Sequence, residues 1–277
     1  MRVRDLLAEG VKALFARADA RREAVLLLRS VLDKSEAWLV AHADDTVAAP
    51  NAAAYRELVE RRAGGEPIAY LTGTRGFHAI ELRVTPNVLI PRAETEVLVD
   101  LALQRIPVDA DCAVADLGTG SGAIALAIAR QRPRARVVAT DVSEAALEVA
   151  RDNAARLKIG NVEFRQGAWC AALPAERFEV IASNPPYVAA GDPYLHEGDL
   201  RFEPPLALSP GTDALGAIRV IASQAKAHLA TGGWLLFEHG IDQGAGVRGV
   251  LTGRGYRDVF TERDLEDRER VSGGQRA

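Results

Sequence analysis

Apolar residues recur at three-to-four spacing through the N-terminal part of the chain: Leu6, Leu7, Val11, Leu14, Phe15 and Ala18, then Val25, Leu28, Val31 and Leu32. That spacing gathers them on one face of a helix and predicts two amphipathic helices. Ser35 stands where it would cap a third helix carrying Trp38, Leu39 and His42. Asn51 stands where it would cap a fourth, with Tyr55, Leu58, Val59 and Arg62 on it and Gly64-Gly65 ending it. Short connections make this a small antiparallel bundle. His42 reads as a packed or half-exposed side chain. From Ile68 to Ile90 the chain turns rich in Thr, Gly and β-branched residues, and GFHAIELRVTPNVLIP alternates as a short hairpin would, with Pro86 and Pro91 near its end.

From about residue 94 helix and strand patterns alternate. Helices are expected at 94–105, 122–131, 143–157, 215–230 and 243–252. Strands are expected at 112–118, 136–141, 162–167, 178–184 and 234–240, with a closing pair in YRDVFTERD and RERVSGG. Repeated β-α-β units with apolar strands predict an α/β fold, a mostly parallel, doubly wound sheet ending in an antiparallel edge hairpin. The expected organisation is an all-helical domain over 1–74, a hairpin linker over 75–91 and the sheet domain over 92–277.

The 277 residues carry a net charge of −4. Such a chain is not built for general binding to a phosphate backbone, which needs concentrated Lys and Arg. The two cysteines, Cys112 and Cys170, show neither metal-ligand spacing nor a disulfide framework. Asp5, Glu9, Lys12 and Arg17 interrupt any signal-peptide core, and no apolar run is long enough to span a bilayer. A cytoplasmic protein without bound metal is expected.

Two motifs carry chemistry. Strand 112–118 ends in Asp116-Leu117-Gly118-Thr119-Gly120-Ser121-Gly122, with a helix directly after. Glycines there let the backbone turn sharply and a ligand approach closely. Asp141, about twenty residues on, ends the next strand, where an acid takes ribose hydroxyls. Gly118, Gly120 and Ala123 can be forced onto a dinucleotide fingerprint. The tighter Gly-x-Gly-x-Gly, with an acid two residues before it, suits a sulfonium cofactor such as S-adenosylmethionine. At this point both ligands stay open.

The second motif is Ser183-Asn184-Pro185-Pro186-Tyr187. Proline lacks an N–H and fixes φ, so the strand must end at Asn184 in a stiff loop. In a doubly wound sheet the carboxyl end of strand 178–183 can lie beside the glycine-loop strand, near the topological switch point. The Asn184 side-chain oxygen and the Pro185 carbonyl could then accept both hydrogens of an –NH₂ group, with Tyr187 as an aromatic wall. This arrangement suits methyl transfer to a planar, poorly nucleophilic nitrogen.

With these residues the chain resembles the bacterial N5-glutamine methyltransferases of peptide chain release factors, the HemK/PrmC family. The likeness runs over nearly the whole sequence: GEPIAYLTG at 65–73, Leu89-Ile90-Pro91-Arg92 with Glu94-Thr95-Glu96, DLGTGSGAIALA, SNPPY, Arg201-Phe202-Glu203-Pro204, and Glu238-His239-Gly240. The resemblance implies a class I, Rossmann-like methyltransferase domain behind a helical domain that recognises the release factor. It implies S-adenosylmethionine as cofactor and the glutamine of the Gly-Gly-Gln loop of class I release factors as substrate. It places Gly118, Thr119, Gly120, Ser121 and Gly122 at the methionine part of the cofactor, Asp141 at its ribose and Trp169 at its adenine. Asn184, Pro185, Pro186 and Tyr187 would hold the glutamine, with Asn184 also near the cofactor and Asn184 and Pro185 as the catalytic pair. Family members usually carry an acid before the tryptophan. Here Ala168 stands there, which implies weaker cofactor binding.

Other readings share some of these residues. A nucleic-acid amino methyltransferase acting on adenine N6 or guanine N2 would use the same Asn-Pro-Pro-Tyr, but would want a basic recognition surface. A non-catalytic cofactor-binding module would not need the rigid loop, and a nicotinamide-linked oxidoreductase lacks a hydride-site histidine. Glu238 and His239 read as support for neighbouring loops rather than an acid/base pair. Arg92, Glu94 and Glu96 read as organisers of the entrance helix. Residues 188–213 are expected to order over a bound protein loop. The tail Gly273-Gly274-Gln275 matches the substrate tripeptide and reads as a flexible terminus; the sharper idea is that it enters its own site.

Overall fold

The computed structural model describes residues 1–173 and 175–277, and the backbone alone at residue 196. It divides into two compact units: residues 1–74 with 197–202, and residues 75–196 with 203–277.

The first unit is helical: α1 (Val3–Ala13), α2 (Ala20–Leu32), α3 (Glu36–Ala41), α4 (Ala49–Ala63) and α5 (Ile68–Thr72). Its core gathers Leu6, Leu14, Leu28, Leu39 and Tyr55 of the helical pattern together with Leu27, which the pattern does not include, while Phe15, expected on the buried face, lies exposed just past the end of α1. Ser35 caps α3 as expected, its Oγ accepting from Trp38 N at 3.2 Å. Asn51 does not cap α4. That helix starts at Ala49 with Pro50 in its first turn, where proline loses no needed donor. The short α5, unforeseen in the Thr- and Gly-rich stretch, ends at Gly73 with φ 74°. The chain re-enters this unit at residues 197–202, where Arg62 Nη1 meets Asp199 Oδ1 at 3.0 Å and Arg201 Nη2 donates to Gly64 O at 2.9 Å.

The second unit opens with the hairpin β1 (Thr74–Phe77) and β2 (Ile80–Arg83). The elements that follow are α6 (Glu96–Gln104), β3 (Ala113–Leu117), α7 (Ala123–Gln131), β4 (Arg136–Asp141), α8 (Glu144–Leu157), β5 (Val162–Gln166) and β6 (Phe178–Ser183). The chain closes with α9 (Pro205–Leu208), α10 (Gly216–Ala225), β7 (Leu229–Glu238), α11 (Gly244–Gly253), β8 (Tyr256–Arg263) and β9 (Glu269–Arg276). Among the described residues the main sheet has the order β5-β4-β3-β6-β7-β9-β8. The strands from β5 to β7 run parallel, and β9 is antiparallel to both β7 and β8.

Alternate residues of the parallel strands enter opposite cores. Val114, Val137, Val180 and Leu236 pack with α6 and α7, while Ala115, Val138, Ile181 and Leu235 pack with α10 and α11. A sheet covered on both faces needs such continuous apolar strands. From β3 the order proceeds outward in both directions, to β4 and to β6. The crevice at the carboxyl ends of β3 and β6 is therefore the topological switch point.

Two expectations fail here. The helix expected to reach residue 230 ends at Ala225, and β7 begins at Leu229, ahead of Gly232-Gly233. That pair marks an irregularity inside the strand: a Cβ on Gly233 would lie 2.9 Å from Phe178 O, so close backbone approach demands glycine. The tail is also not a flexible terminus. Gly273 and Gly274 are buried in β9 opposite Leu236 and Leu235, and Gln275 pairs with Trp234, its Nε2 donating to Gly232 O at 2.8 Å. Glu238 lies four residue steps along β7 from Trp234, about 13 Å. Gln275 thus belongs to the end of the sheet away from the switch point, so in this fold it does not enter its own chain's site.

Candidate active site

The glycine loop is held to the sheet by its own backbone. Gly118 N and Thr119 N both donate to Thr140 O, at 2.8 and 2.9 Å. Asp141, at the end of β4, uses one oxygen for Gly120 N and the other for Ser143 N, each at 2.9 Å. The carboxylate fixes the loop and keeps lone pairs for a further donor. Gly118 has φ 75° and Gly122 φ 84°, in the left-handed region. Space adds to the demand: a Cβ on Gly118 would lie 3.2 Å from the Trp169 ring, and one on Gly122 would lie 2.9 Å from Leu126 Cδ1. Gly120, with φ 55°, faces open space where a Cβ would meet nothing within 4 Å. Trp169 takes φ 52° and its carbonyl accepts from Thr140 Oγ1 at 3.3 Å. Gly118, Thr119, Gly120, Ser121, Gly122, Asp141 and Trp169 therefore converge at the ends of β3 and β4.

Beneath the loop lies Asp116, fully buried. Its Oδ2 accepts from Thr119 Oγ1 at 2.6 Å and Ala125 N at 3.1 Å, while Oδ1 has no partner among the described residues. Burial pushes this carboxyl up to about 7, the two hydrogen bonds oppose the rise, and the Asp141 charge adds to it. Asn153, not singled out from the sequence, clamps the region. Its amide donates to Ser121 O at 2.9 Å and pairs with Arg83 N and O at 2.6 and 2.9 Å. The available signal was a lone amide on the apolar face of a helix.

The second motif sits next door. Leu117 and Ser183 are register partners, and Ser183 Oγ donates to Leu117 O at 2.7 Å, so Gly118 and Asn184 leave the sheet side by side. Asn184 Nδ2 donates to Thr95 Oγ1 at 3.3 Å. Among the described residues nothing donates to Asn184 Oδ1 or to the Pro185 carbonyl. Tyr187 donates its hydroxyl to Glu238 Oε1 at 3.2 Å, and its carbonyl accepts from Gln243 Nε2 at 2.8 Å. Burial raises the Tyr187 hydroxyl above its ordinary range, with the Glu238 charge adding to it.

Glu238 and His239 serve as support. Burial pushes the Glu238 carboxyl up, opposed by the Thr95 hydroxyl, the Arg270 charge and the Tyr187 hydroxyl. His239 bridges Gly240 O and Ser272 Oγ, both at 2.8 Å, and burial holds it below its ordinary value. The entrance residues are tied as well. Glu203 is buried, takes Ile90 N at 3.0 Å and is paired with Arg92, so the 201–204 motif secures the 89–92 motif. Glu96 accepts from His78 N at 3.0 Å, where His78 and Ala79 carry the positive φ values of the tight β1–β2 turn.

A switch-point crevice, a glycine loop answered by a strand-end acid, and a rigid Asn-Pro-Pro-Tyr together define a class I methyltransferase. Family profiles agree: the PrmC N-terminal domain matches residues 5–73 and the methyltransferase small domain residues 93–196. The chain is 53% identical to the release factor glutamine methyltransferase of Xylella fastidiosa (strain Temecula1 / ATCC 700964), over 95% of this chain and 97% of that protein. It is 51% identical to the release factor glutamine methyltransferase of Burkholderia pseudomallei (strain K96243), over 91% of each. The chain belongs to the release factor glutamine methyltransferase family. Among solved structures the fold is shared with the 16S rRNA N2 G1207 methyltransferase RsmC of T. thermophilus. That match has TM-score 0.54 and 17% identity, over 74% of this chain and 50% of that one. No helix among the described residues is long and apolar enough to cross a membrane.

Proposed function

We propose that this protein transfers a methyl group from S-adenosylmethionine to the side-chain amide nitrogen of the glutamine in the Gly-Gly-Gln motif of class I peptide chain release factors. One observation carries the reading. Asn184 donates one amide hydrogen to Thr95 Oγ1, and Oδ1 and the Pro185 carbonyl stand as two acceptors beside the glycine loop. A primary carboxamide offers two N–H bonds to such a pair.

The residues fit the cofactor. Asp116 Oδ1 is a buried acceptor with no partner among the described residues, suited to an ammonium group. Gly120 opens space for close approach, Asp141 retains acceptor capacity for ribose hydroxyls, and the Trp169 face would take the adenine. When bound, S-adenosylmethionine supplies an electrophilic methyl on a sulfonium sulfur. The chain's own work is positioning and charge. An amide nitrogen delocalises its lone pair and is a poor nucleophile. Two acceptors on its hydrogens favour a tetrahedral nitrogen and stabilise the positive charge that develops there. Pro185 and Pro186 hold that geometry rigidly, which reduces the cost of orientation. No strong general base is needed, because the methylated nitrogen becomes acidic and releases its proton afterwards.

The direct test mixes the protein, labelled S-adenosylmethionine and a release factor carrying Gln or Ala in its Gly-Gly-Gln loop. Label is expected on the Gln form alone; transfer to the Ala form overturns the assignment.

Two expectations concern the cofactor. An ammonium ligand needs Asp116 charged, so affinity should tighten as pH rises through 7, by about 10-fold from pH 6 to pH 8. The same raised value means that the folded state holds this proton more tightly than the unfolded chain. Without cofactor, the group's contribution to stability therefore falls as pH rises from the ordinary carboxylate range to about 7. Calorimetric titration with S-adenosylhomocysteine checks the first statement, and a flat profile sinks it. Ala168, exposed beside Trp169, offers the adenine amino group no carboxylate. Ala168→Asp should tighten binding by roughly 2- to 10-fold, the worth of one hydrogen bond; unchanged affinity removes the idea.

A further inference from the structure

We propose that Gln243 is a positioning residue that aims the Pro185 carbonyl at the substrate nitrogen by holding the far end of the Asn-Pro-Pro-Tyr segment. This rests on the glutamine-methylating reading above. The segment is stiff for a reason written in its sequence. Pro185 and Pro186 fix their own φ, and each pushes the residue before it into extended backbone. Neither has an N–H, so the segment cannot tie itself down with a turn of its own. A stiff rod held at one end still swings about that end. At about 3.1 Å of rise per extended residue, the Pro185 carbonyl lies roughly 6 Å from a hold at Tyr187, so a displacement there reaches it.

The near end is held by the register of β3 with β6 and by the Ser183 hydroxyl on Leu117 O. The far end is held from outside. Val188 N donates to Leu208 O at 3.0 Å, the Tyr187 hydroxyl donates to Glu238 Oε1 at 3.2 Å, and Gln243 Nε2 donates to Tyr187 O at 2.8 Å. The Gln243 bond is the shortest of the three and acts on the backbone of Tyr187 itself. Its amide has one workable orientation. Gly240 N–H only donates, and gives to Gln243 Oε1 at 3.0 Å; Tyr187 O only accepts, so Nε2 must face it. The hold is also rigid. Gly240 follows closely on the end of β7, and Gln243 stands directly before α11, whose Val247 and Leu251 are buried. A Cβ on Gly240 would lie 3.2 Å from Gln243 Cδ, so glycine lets the amide lie against the backbone there.

The test compares the wild type with Gln243→Glu on a release factor at saturating S-adenosylmethionine. Glutamate keeps the size and still accepts from Gly240, but its charged form has no hydrogen for Tyr187. Misplacement by about 1 Å can cost on the order of 100-fold, so kcat at about pH 8 should fall roughly 10- to 100-fold. KM for S-adenosylmethionine should change by less than about 3-fold, because the cofactor loop is held by other bonds. Protonation restores the wild-type pattern, since a carboxylic acid both accepts and donates. The Tyr187 carbonyl facing the new acid raises its pKa. The ratio of variant to wild-type kcat should therefore recover by roughly 3- to 10-fold between about pH 8 and about pH 5.5. The charged and titratable groups around position 243 are Asp242, His239 beside Gly240, Glu238 and Arg270 facing Tyr187, and Glu269 and Arg248 at Gly244. Both proteins carry all of them, so the ratio isolates position 243. Gln243→Met, of similar length but without either hydrogen bond, should show the loss and no recovery; should Gln243→Glu fold poorly, its kcat at nearly constant KM decides. Undiminished kcat, an equal Gln243→Glu ratio at both pH values, the same recovery in Gln243→Met, or a loss no greater than the loss of folded protein would each overturn the proposal. If the wild type ignores the Gly-Gly-Gln glutamine but methylates another amino group, the substrate reading fails. The same ratios measured on that acceptor then still decide the role of Gln243.

Discussion

Asn184→Ala should lower kcat about 10²- to 10³-fold, the usual cost of deleting one preorganised polar contact to a developing charge. The loss should be larger in kcat than in KM, because the acceptor matters most once the nitrogen becomes positive. The fold should survive. Asn184 lies beyond β6, is half-buried and makes one side-chain hydrogen bond among the described residues, to Thr95. Single-turnover methylation and a thermal melt separate the two effects. A variant with unaltered turnover would remove the chemistry on which the functional reading stands. Equal loss of rate and melting temperature would instead make Asn184 a structural residue.

Glu203→Ala should destabilise the protein by about 3 to 5 kcal/mol, the range for stranding one partner of a buried ion pair. Glu203 is buried and answers both the Ile90 N–H and the Arg92 guanidinium. Removing it orphans both at once. Arg92 is partly exposed, with 32% of its side chain open to water, so the lower end of the range is expected. At about 3 kcal/mol the melting temperature should fall by roughly 10 °C for a protein of this size. Glu203→Gln can still accept from Ile90 and should lose less. Denaturant melts decide; a change below about 1 kcal/mol would mean that the two motifs are held by something else.

Much of this was legible in the sequence, for identifiable reasons. Apolar runs such as Val114-Ala115 and Val180-Ile181 announced strands buried on both faces, and proline after Asn184 announced where β6 must stop. The adjacency of Gly118 and Asn184 followed from the rule for switch points in doubly wound sheets. Hydrogen bonds between distant residues were not legible. Thr95 and Asn184 are 89 positions apart, and Arg83 and Asn153 are 70 apart, so no local pattern joins them. Glycine was read least well. Gly232-Gly233 fell outside the expected strand 234–240, and Gly273-Gly274 resembled a loose end, because a glycine chosen for close packing looks the same in sequence as one chosen for flexibility.

Gly273, Gly274 and Gln275 spell the tripeptide proposed as the target, yet here they are woven into an interior ribbon. A Cβ on Gly273 would collide with Leu236 and Phe260 at 2.6 and 2.7 Å, so these glycines are kept for tight stacking. Three letters are then insufficient to mark a substrate; what counts is their display on a protruding, detachable stretch of backbone.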